Sequence, residues 1–479
     1  MAFSNKTVIN SMLWKLLERF SSQLVAFAIS IVLARILMPS DYGIIAIILV
    51  FINLANVIID GGLNTALIQK KNADQKDFST IFWFCLLLAA VLYVILFWGA
   101  PLISYFYKND LLTSVLRVLG IGIFFNSFNS IQRAYVSRHM LFKKLFYVNA
   151  VAIILSGTIG IVMAYQGFGV WALVGQNLTS SLFICVLMWF AIRWRPTMVF
   201  SKERFKGLFD YGWKIFLTNF IIALYGDIRS LLIGKFYQPS ALAFFDRGKS
   251  LPSLIISNVT TSIETVLLPT FSEEQDNVKR VKQMMRRSVQ VTYLFVAPLL
   301  FGFFFAAREV VLILLTEKWL PAVPFIQIFC IVFFLLPIQN INMTSIKSLG
   351  YSNITLKLEV AKKVIEAVIL VVSFLINVYA VAWGIVVYNL ICIVINLSPS
   401  KRLVDYGLGE QLKDILPTTL AALLMGGAVF ACELLPLSSI RILVIQITGG
   451  SIIYYVMCKI LHLEGFEYIS TYLKGIMKG

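Results

Sequence analysis

Fourteen apolar runs recur along the whole chain, and this feature restricts it to one class of fold. A transmembrane helix needs about 20 predominantly apolar residues, and each run is about that long or longer, with only short loops between. The pattern predicts an all-α integral membrane protein with about 14 transmembrane helices and no soluble domain. We expect the spans at residues 10–36, 43–66, 80–106, 112–135, 146–165, 168–192, 209–234, 248–270, 289–315, 322–346, 357–378, 380–398, 412–432 and 440–461.

Composition agrees with this interpretation, because charged residues make up 14% of the chain, against about 25% in a soluble protein. The first run contains Lys15, Glu18 and Arg19 and is too long for a signal peptide, so we expect no cleaved leader. All six cysteines fall inside predicted spans without a CxxC pair. We therefore expect buried thiols, and neither disulfides nor metal ligands.

The net charge of +17 is distributed unevenly between the two predicted sides of the membrane. One side and its adjoining helix ends hold 30 of the 41 Lys and Arg residues, and the other side holds nine. Because positive charge is enriched in cytoplasmic loops, we expect both termini in the cytoplasm. The basic segments 193–206 and 278–287 then face anionic lipid headgroups, and we expect no nucleic-acid partner.

An internal repeat links the two halves of the chain at offsets of roughly 200–213 residues. Six spans separate equivalent points, so the halves have the same orientation, as in transporters with parallel repeats. We expect a six-helix bundle with a basic linker at 1–206, a second at 207–400, and two extra helices with a short tail at 401–479. The paired segments are 14–40 with 213–240, 107–130 with 316–340, and 167–174 with 377–387.

Polar residues form stripes at helical spacing on two pairs of repeat-related spans. We expect these four helices to line a polar cavity of mixed charge between the halves. For Ser, Thr and Asn, an equally weighted alternative is a hydrogen bond to a neighbouring helix. The stripes are Ser11, Lys15, Glu18, Arg19, Ser22, Ala26 and Ser30; Asn53, Asn56, Asp60 and Asn64; Lys214, Thr218, Tyr225 and Arg229; and Ser250, Ser253, Ser257, Thr261 and Glu264.

The charged members of these stripes are the main candidates for function. A charge at the centre of a span, such as Arg229, costs at least about 2.5–3.5 kcal/mol and usually faces a cavity or partner. Lys15 and Arg19 have the alternative of snorkelling to headgroups, and Asp227, opposite Arg229, that of pairing with a neighbouring helix. The predicted substrate-binding residues are Lys15, Arg19, Lys214, Tyr225, Arg229, Asn53 and Asn56, and the predicted ion-coupling residues are Asp60 and Glu264. For Asp60 and Glu264, of which one is expected to bind a cation or titrate, a structural contact between helices is an alternative of at least equal weight.

Several catalytic classes lack their motifs in this sequence. There is no GxxxxGK[ST] segment for an ATPase, and the only two histidines, His139 and His462, lie near cytoplasmic ends. The outer loops are too short for the catalytic groups of a polysaccharide polymerase or ligase. We therefore expect no enzyme activity, catalytic residue, metal site or cofactor.

Six segments, in order over about the first 350 residues, resemble the polysaccharide transporter family of the MOP flippase superfamily, which includes the Wzx-type flippases. The chain departs from the family where Ala243-Phe244 stands in place of a frequent Gly before an aromatic residue. The matching segments are LARILMPSDYGIIAI (33–47), IIDGGLNTALIQKK (58–71), GFGVWALVGQ (167–176), DIRSLLIGKFYQPSALAFFDRGKSL (227–251), VLLPTFS (266–272) and EKWLPAVPFIQIF (317–329).

The resemblance implies two six-helix bundles in a V shape that work by alternating access. It implies a flippase that moves undecaprenyl-diphosphate-linked oligosaccharide to the outer leaflet of the bacterial cytoplasmic membrane, for exopolysaccharide, capsule or O-antigen synthesis. Implied partners are this lipid-linked substrate, membrane lipids, and a polysaccharide polymerase with other assembly proteins. An alternative is an H⁺- or Na⁺-coupled multidrug exporter of the same superfamily, whose cavity would favour carboxylates. A third is a scaffold without transport activity.

Overall fold

Helices account for every regular element in the described part of the chain. The computed structural model describes the backbone of residues 5–478, and the side chains of that range except those at 5–9, 12, 258, 260–266, 352 and 472–478. Contacts divide the chain into two units, Met1–Ala243 and Phe244–Gly479. The all-helical prediction is confirmed.

In its described residues, the first unit contains nine helices and the start of a tenth. The tenth helix, α10, runs from Pro239 to Glu273 across the division between the units. The nine are α1 (Asn5–Ile36), α2 (Pro39–Asp60), α3 (Leu63–Gln69), α4 (Gln75–Tyr107), α5 (Leu111–Gly120), α6 (Gly122–Arg138), α7 (Phe142–Tyr165), α8 (Val170–Ala191) and α9 (Lys202–Phe236).

The second unit holds the remaining helices, including one beyond the predicted spans, α19. Two short 3-10 helices, Glu317–Ala322 and Cys432–Leu434, interrupt the α-helical order. The α-helices are α11 (Val278–Phe305), α12 (Ala307–Leu314), α13 (Val323–Phe334), α14 (Leu336–Ser348), α15 (Ser352–Phe374), α16 (Val378–Val404), α17 (Leu408–Ala431), α18 (Ser439–Ile460) and α19 (Glu464–Lys478).

Helix occupies all fourteen predicted spans. Within the described residues, 12 helical segments are long and apolar enough to cross a membrane, which makes this a multi-pass membrane protein. The predicted eighth and eleventh spans, α10 and α15, are not among those 12. On α15, charged side chains cluster and pair along the helix: Lys362 Nζ lies 2.6 Å from Glu359 Oε1, and Lys363 Nζ lies 2.8 Å from Glu366 Oε2.

A break between α2 and α3 shapes the first unit. Gly61 and Gly62 have φ values of 49° and 68°, in the left-handed region where only glycine is unstrained. A Cβ on Gly62 would lie 2.3 Å from the carbonyl oxygen of Gly212 on α9, so the two backbones touch here. The break ends α2 at Asp60 and lets α9 pack against the junction.

Helix α9 belongs to the first unit by its contacts, since it packs on α2, α3 and α4. The first unit therefore extends beyond residue 206, where the repeat places the boundary of the first bundle. The division into two six-helix bundles and two extra helices stays a prediction. Of the cysteines, Cys85, Cys330, Cys392 and Cys458 are buried as predicted, whereas Cys185 and Cys432 are half-exposed.

Candidate substrate groove of the first unit

Two adjoining cavities lie along α2, within the first unit. The one next to the helix break has a volume of about 350 Å³ and is lined by residues of α2, α3 and α6. The second has a volume of about 250 Å³ and lies between α2, α5, α6 and α8. Asn56 and Asn126 line both cavities, so together they form one polar groove, the α2–α6–α8 groove. Its polar lining residues are Asn53, Asn56, Asp60, Asn64, Asn126, Ser130, Arg133, Ser137, Asn177 and Ser181.

Asp60 is held in position at the end of α2. Ser130 Oγ donates a hydrogen bond of 2.5 Å to Asp60 Oδ1, and Asn64 Nδ2 donates to the same oxygen at 3.0 Å. Asn64 reaches back across the Gly61-Gly62 break, and its Nδ2 also lies 2.5 Å from Ser130 Oγ. The carboxylate is thus surrounded by protein on the α3 and α6 sides, yet the residue is exposed because the groove opens beside it.

Arg133 is the cation of the groove. It is exposed on α6, close enough to Asp60 for an electrostatic interaction. Among the described residues, no carboxylate lies within salt-bridge distance of its guanidinium, taken as 4.0 Å. The guanidinium therefore remains available to a negatively charged ligand in the groove.

Amide groups line the rest of the groove. The side-chain oxygens of Asn56 and Asn64 are buried and have no hydrogen-bond partner in the described part of the chain. Asn177 Nδ2 donates to the Leu173 carbonyl at 2.8 Å. Buried polar atoms are nearly always hydrogen-bonded, so these two amide oxygens are exceptions beside the groove.

The predicted α1 stripe divides between two surroundings. Glu18 Oε1 accepts a hydrogen bond of 2.6 Å from Asn149 Nδ2 on α7. Lys15 Nζ lies 5.4 Å from the centroid of the Phe142 ring, also on α7, while Arg19 is exposed. Neither Lys15 nor Arg19 lines the α2–α6–α8 groove, and their role as substrate contacts stays a prediction.

On α9, the predicted cations and the carboxylate have different surroundings. Asn53 Nδ2 donates a hydrogen bond of 2.7 Å to Asp227 Oδ2, so the alternative that Asp227 pairs with a neighbouring helix is confirmed. Lys214 is exposed, and Tyr225 and Arg229 are half-buried. The proposed substrate contacts of these three residues stay predictions.

The eighth predicted span, α10, is described only in part. Ser253 Oγ donates to the Ser250 carbonyl at 2.7 Å, which is a contact within the helix itself. The side chains of Thr261 and Glu264 lie outside the described residues. Ion coupling at Glu264 therefore stays a prediction, as it does at Asp60.

Sequence reasoning missed the α6 and α8 sides of the groove. Asn126, Ser130, Arg133 and Ser137 follow a spacing of i, i+4, i+7 and i+11, which places them on one helical face. This spacing predicts a polar face on α6, which the repeat-related stripes of the first, second, seventh and eighth spans do not include. Asn177 and Ser181, one turn apart on α8, form the same kind of pair.

Comparison with known proteins identifies relatives in polysaccharide biosynthesis. The chain is 25% identical over 322 residues to the succinoglycan biosynthesis transport protein ExoT of Rhizobium meliloti (strain 1021), covering 67% of this chain and 65% of that protein. It is 22% identical to the teichuronic acid biosynthesis protein TuaB of Bacillus subtilis (strain 168), covering 63% of this chain and 62% of TuaB. It is also 22% identical to the lipopolysaccharide biosynthesis protein WzxC of Escherichia coli (strain K12), covering 64% and 63%. The chain thus spans a little under two thirds of the length of these relatives.

Solved structures share the fold at low sequence identity. The inward closed conformation of the lipid II flippase MurJ matches with a TM-score of 0.75 at 13% identity, covering 94% of this chain and 99% of MurJ. An inward-facing multidrug resistance MATE family transporter of the MOP superfamily matches with a TM-score of 0.60 at 15% identity, covering 80% and 94%. At this identity the likeness concerns the fold alone, and it confirms the predicted fold class.

A family model described as polysaccharide biosynthesis protein matches residues 32–324, which is more than half of the chain. This range contains five of the six segments that carry the resemblance in full and most of the last. It also contains every residue that lines the α2–α6–α8 groove. The chain therefore belongs to the polysaccharide biosynthesis protein family.

Proposed function

We propose that this protein moves an undecaprenyl-diphosphate-linked oligosaccharide from the cytoplasmic to the outer leaflet of the bacterial cytoplasmic membrane. The observation that carries the proposal is the amide-rich α2–α6–α8 groove, whose lining residues all lie in the helical segments Pro39–Gln69, Leu111–Arg138 and Val170–Ala191, each long and apolar enough to span a membrane. The printed names of its relatives, which include a biosynthesis transport protein, support the same class of activity.

The groove offers the chemistry that a saccharide headgroup requires. A sugar hydroxyl both donates and accepts hydrogen bonds, and an asparagine amide provides two donors and an acceptor in one side chain. Five asparagines and three serines line the two cavities beside the single pair of opposite charges, Asp60 and Arg133. The sugar headgroup crosses through such a groove while the polyprenyl chain stays in lipid. A multidrug exporter for apolar cations would have little use for this many amides.

Cations outside the groove extend the path for a diphosphate. Lys15, Arg19, Lys214 and Arg229, with the hydroxyl of Tyr225, are proposed as further substrate contacts. Arginine can hold phosphate through two parallel hydrogen bonds. Several moderate contacts at different depths suit a carrier better than one deep trap, because a ligand shifts a conformational equilibrium only through its differential affinity for the two states.

Transport against a gradient needs an energy source. Asp60 and Glu264 are the residues proposed to couple transport to the movement of a proton or small cation. Asp60 sits in the groove with its oxygen Oδ1 already bound by a hydroxyl and an amide. A carboxylate in that setting can take up a proton or hold a small cation when the surroundings change. The proposed cycle makes and breaks no covalent bond and uses no cofactor.

The orientation follows from charge, with both termini in the cytoplasm. The translocated headgroup then emerges where a polysaccharide polymerase and other assembly proteins can receive it. A cysteine introduced at Asn109 should react with an impermeant thiol reagent added outside intact cells, and one introduced at Lys202 should not. Labelling of the cysteine at position 202 from outside would show that the orientation is the opposite of the proposed one.

Export by groove variants tests the function. A strain that lacks this protein and expresses the double variant Asn56→Ala, Asn126→Ala should make little surface polysaccharide and accumulate its lipid-linked precursor. Asn72→Ala, which removes an exposed amide from the loop before α4, is the matched control and should export normally. Normal export by the double variant at normal protein abundance would rule out the groove as the headgroup path.

A further inference from the structure

The two cavities of the α2–α6–α8 groove differ in charge. The cavity next to the helix break contains Asp60 and Arg133, its only charged lining residues. The cavity toward α8 is lined by Asn53, Asn177 and Ser181 and has no charged lining residue. Asn56 and Asn126 form the boundary that both share. The groove is thus divided into a charged part and a neutral part that adjoin.

Some buried amides of the second unit are paired with each other, whereas the buried Asn396 of the same unit has a side chain without a hydrogen-bond partner among the described residues. In the second unit, Gln339 Nε2 donates to Asn389 Oδ1 at 2.9 Å, with both residues buried. Asn342 and Gln411 exchange two hydrogen bonds of 2.9 and 3.0 Å and are also buried. These amides are paired side chain to side chain, which is the arrangement that links neighbouring helices. The side-chain oxygen of Asn56 has no such partner in the described residues.

A second contrast separates Arg133 from a structural arginine on the same helix. Arg138 donates hydrogen bonds to the carbonyls of Leu67, Ile68, Lys70 and Lys71, so its guanidinium holds the end of α3 in place. Within the described residues Arg133 makes no such carbonyl contact, and it instead lines the charged cavity. Its five N–H donors have a fork geometry that matches a phosphate or carboxylate.

The spacing of these groups fits one extended headgroup. Arg133 and Asn126 are seven residues apart on α6, which is about 10 Å along the helix axis. Ser130 and Asn64 hold the Asp60 carboxylate in place, and this carboxylate repels a negatively charged ligand group that comes close to it. A ligand with one oxyanion next to an uncharged ring would therefore place the oxyanion at Arg133 and extend the ring toward Asn126.

We infer that the groove is a two-part headgroup site, in which Arg133 holds an oxyanion and Asn56, Asn126 and Asn177 hold the uncharged sugar ring joined to it. This inference rests on the proposed function and adds to it the class of headgroup. The oxyanion is either the diphosphate of the carrier lipid or the carboxylate of an acidic sugar. Both match a guanidinium fork, and the two sources predict different responses to soluble probes.

The test measures binding by the purified full-length protein in detergent, with inorganic diphosphate, D-glucuronate and undecaprenyl diphosphate as separate probes. We expect the wild-type protein to bind at least one oxyanion probe and Arg133→Ala to bind it at least tenfold more weakly. Arg133→Lys should recover part of the loss, because lysine keeps the charge without the fork. Lys202→Ala removes an exposed cation at the start of α9 and should bind like the wild type.

The probes identify the source of the oxyanion. Arg133-dependent binding of inorganic diphosphate and undecaprenyl diphosphate assigns the site to the carrier lipid, and Arg133-dependent binding of glucuronate assigns it to an acidic sugar. Asn177→Ala should leave binding of inorganic diphosphate unchanged and weaken binding of a fourth probe, a synthetic undecaprenyl diphosphate that carries a single glucose. If Asn177→Ala weakens both equally, the division into two parts is wrong.

The inference and the proposed function fail in different ways. If Arg133→Ala binds every oxyanion probe as the wild type does, or if the wild type binds none, the oxyanion site is wrong, whether or not deletion of the protein stops export. If Arg133 controls binding but a strain without the protein exports normally, the binding site stands and the flippase proposal falls. A normal melting temperature of Arg133→Ala excludes misfolding as the cause of weaker binding.

Discussion

Asn53 and Asp227 are joined by a hydrogen bond of 2.7 Å from the amide of α2 to the carboxylate of α9. One of the charges of the largely apolar helix α9 is thereby paired with the polar stripe of α2. This bond lies at the α2–α9 contact, and the backbones of Gly62 and Gly212 touch elsewhere along α9. The first unit thus holds α9 by a polar contact as well as by close backbone packing.

The first prediction concerns this hydrogen bond. Asn53→Ala and Asp227→Ala should each lower the stability of the purified protein by about 1–2 kcal/mol, because a hydrogen bond to a charged group is lost. The double variant should cost less than the sum of the two single changes, since the second change removes a partner already missing. Thermal or denaturant unfolding in detergent measures all three. If the stability losses of the two single variants sum to the loss of the double variant, the hydrogen bond is absent in the purified protein.

The second prediction concerns the helix break. Gly62→Ala places a Cβ 2.3 Å from the Gly212 carbonyl oxygen and should sharply reduce the amount of folded protein. The left-handed φ alone costs roughly 1–2 kcal/mol for a residue with a Cβ. Gly167→Ala is the matched control, because Gly167 has a φ of 82° with nothing within 4 Å of its ideal Cβ. Equal melting temperatures for the two variants would contradict the close approach of α2–α3 and α9.

The third prediction separates two arginines on α6. Arg138→Ala should destabilise the protein by about 2 kcal/mol, because the carbonyls at the end of α3 lose a charged donor. Arg133→Ala should leave the melting temperature unchanged while impairing export. The same unfolding and polysaccharide assays on both variants check this. A loss of stability for Arg133→Ala equal to that of Arg138→Ala would assign Arg133 a structural role.

The fourth prediction concerns pH at the N-terminal end of α4. Burial acts to raise the pKa of Asp74, but the hydrogen bond from the Asp77 N–H and the Arg204 guanidinium outweigh it and hold the pKa below its ordinary value. The folded protein therefore binds this proton less readily than the unfolded chain. The Asp74 charge stabilises the fold above the ordinary aspartate pKa, and that contribution is lost as the pH falls through the lowered pKa.

Asp74→Asn keeps a good N-cap residue and removes only the charge. It should lower the melting temperature at neutral pH, and the difference from wild type should shrink below about pH 4. Asp110→Asn, at a helix start where the side chain makes no capping bond, is the control and should show no such trend. A difference for Asp74→Asn that stays constant from pH 7 to pH 3 would contradict the assigned charge interaction.

Sequence patterns located the helices well because each span must be apolar to enter a membrane. They also found the α2 side of the groove, since Asn53, Asn56, Asp60 and Asn64 follow one helical face. These patterns do not predict which helices pack against each other. The Glu18 contact with Asn149 on α7, for example, depends on tertiary packing that helical periodicity does not contain.

The α6 side of the groove was missed for a different reason. Asn126, Ser130 and Arg133 have a clear helical spacing. The predicted site was based on stripes that recur in both halves of the chain, and this stripe was not among them. In the second unit, the amides of Gln339 on α14 and Asn389 on α16 are paired with each other in a buried contact. Polar residues of membrane helices can thus line a cavity in one unit and link neighbouring helices in the other.

The most direct test of the proposed function is the leaflet that holds the lipid-linked oligosaccharide. In spheroplasts of a strain that lacks this protein, the account predicts that the oligosaccharide accumulates and stays protected from periodate added outside under conditions in which the reagent does not cross the membrane. Expression of the wild-type protein should make it accessible, and expression of the Asn56→Ala, Asn126→Ala variant should not. Equal access of the reagent to the oligosaccharide with and without the protein would contradict the account.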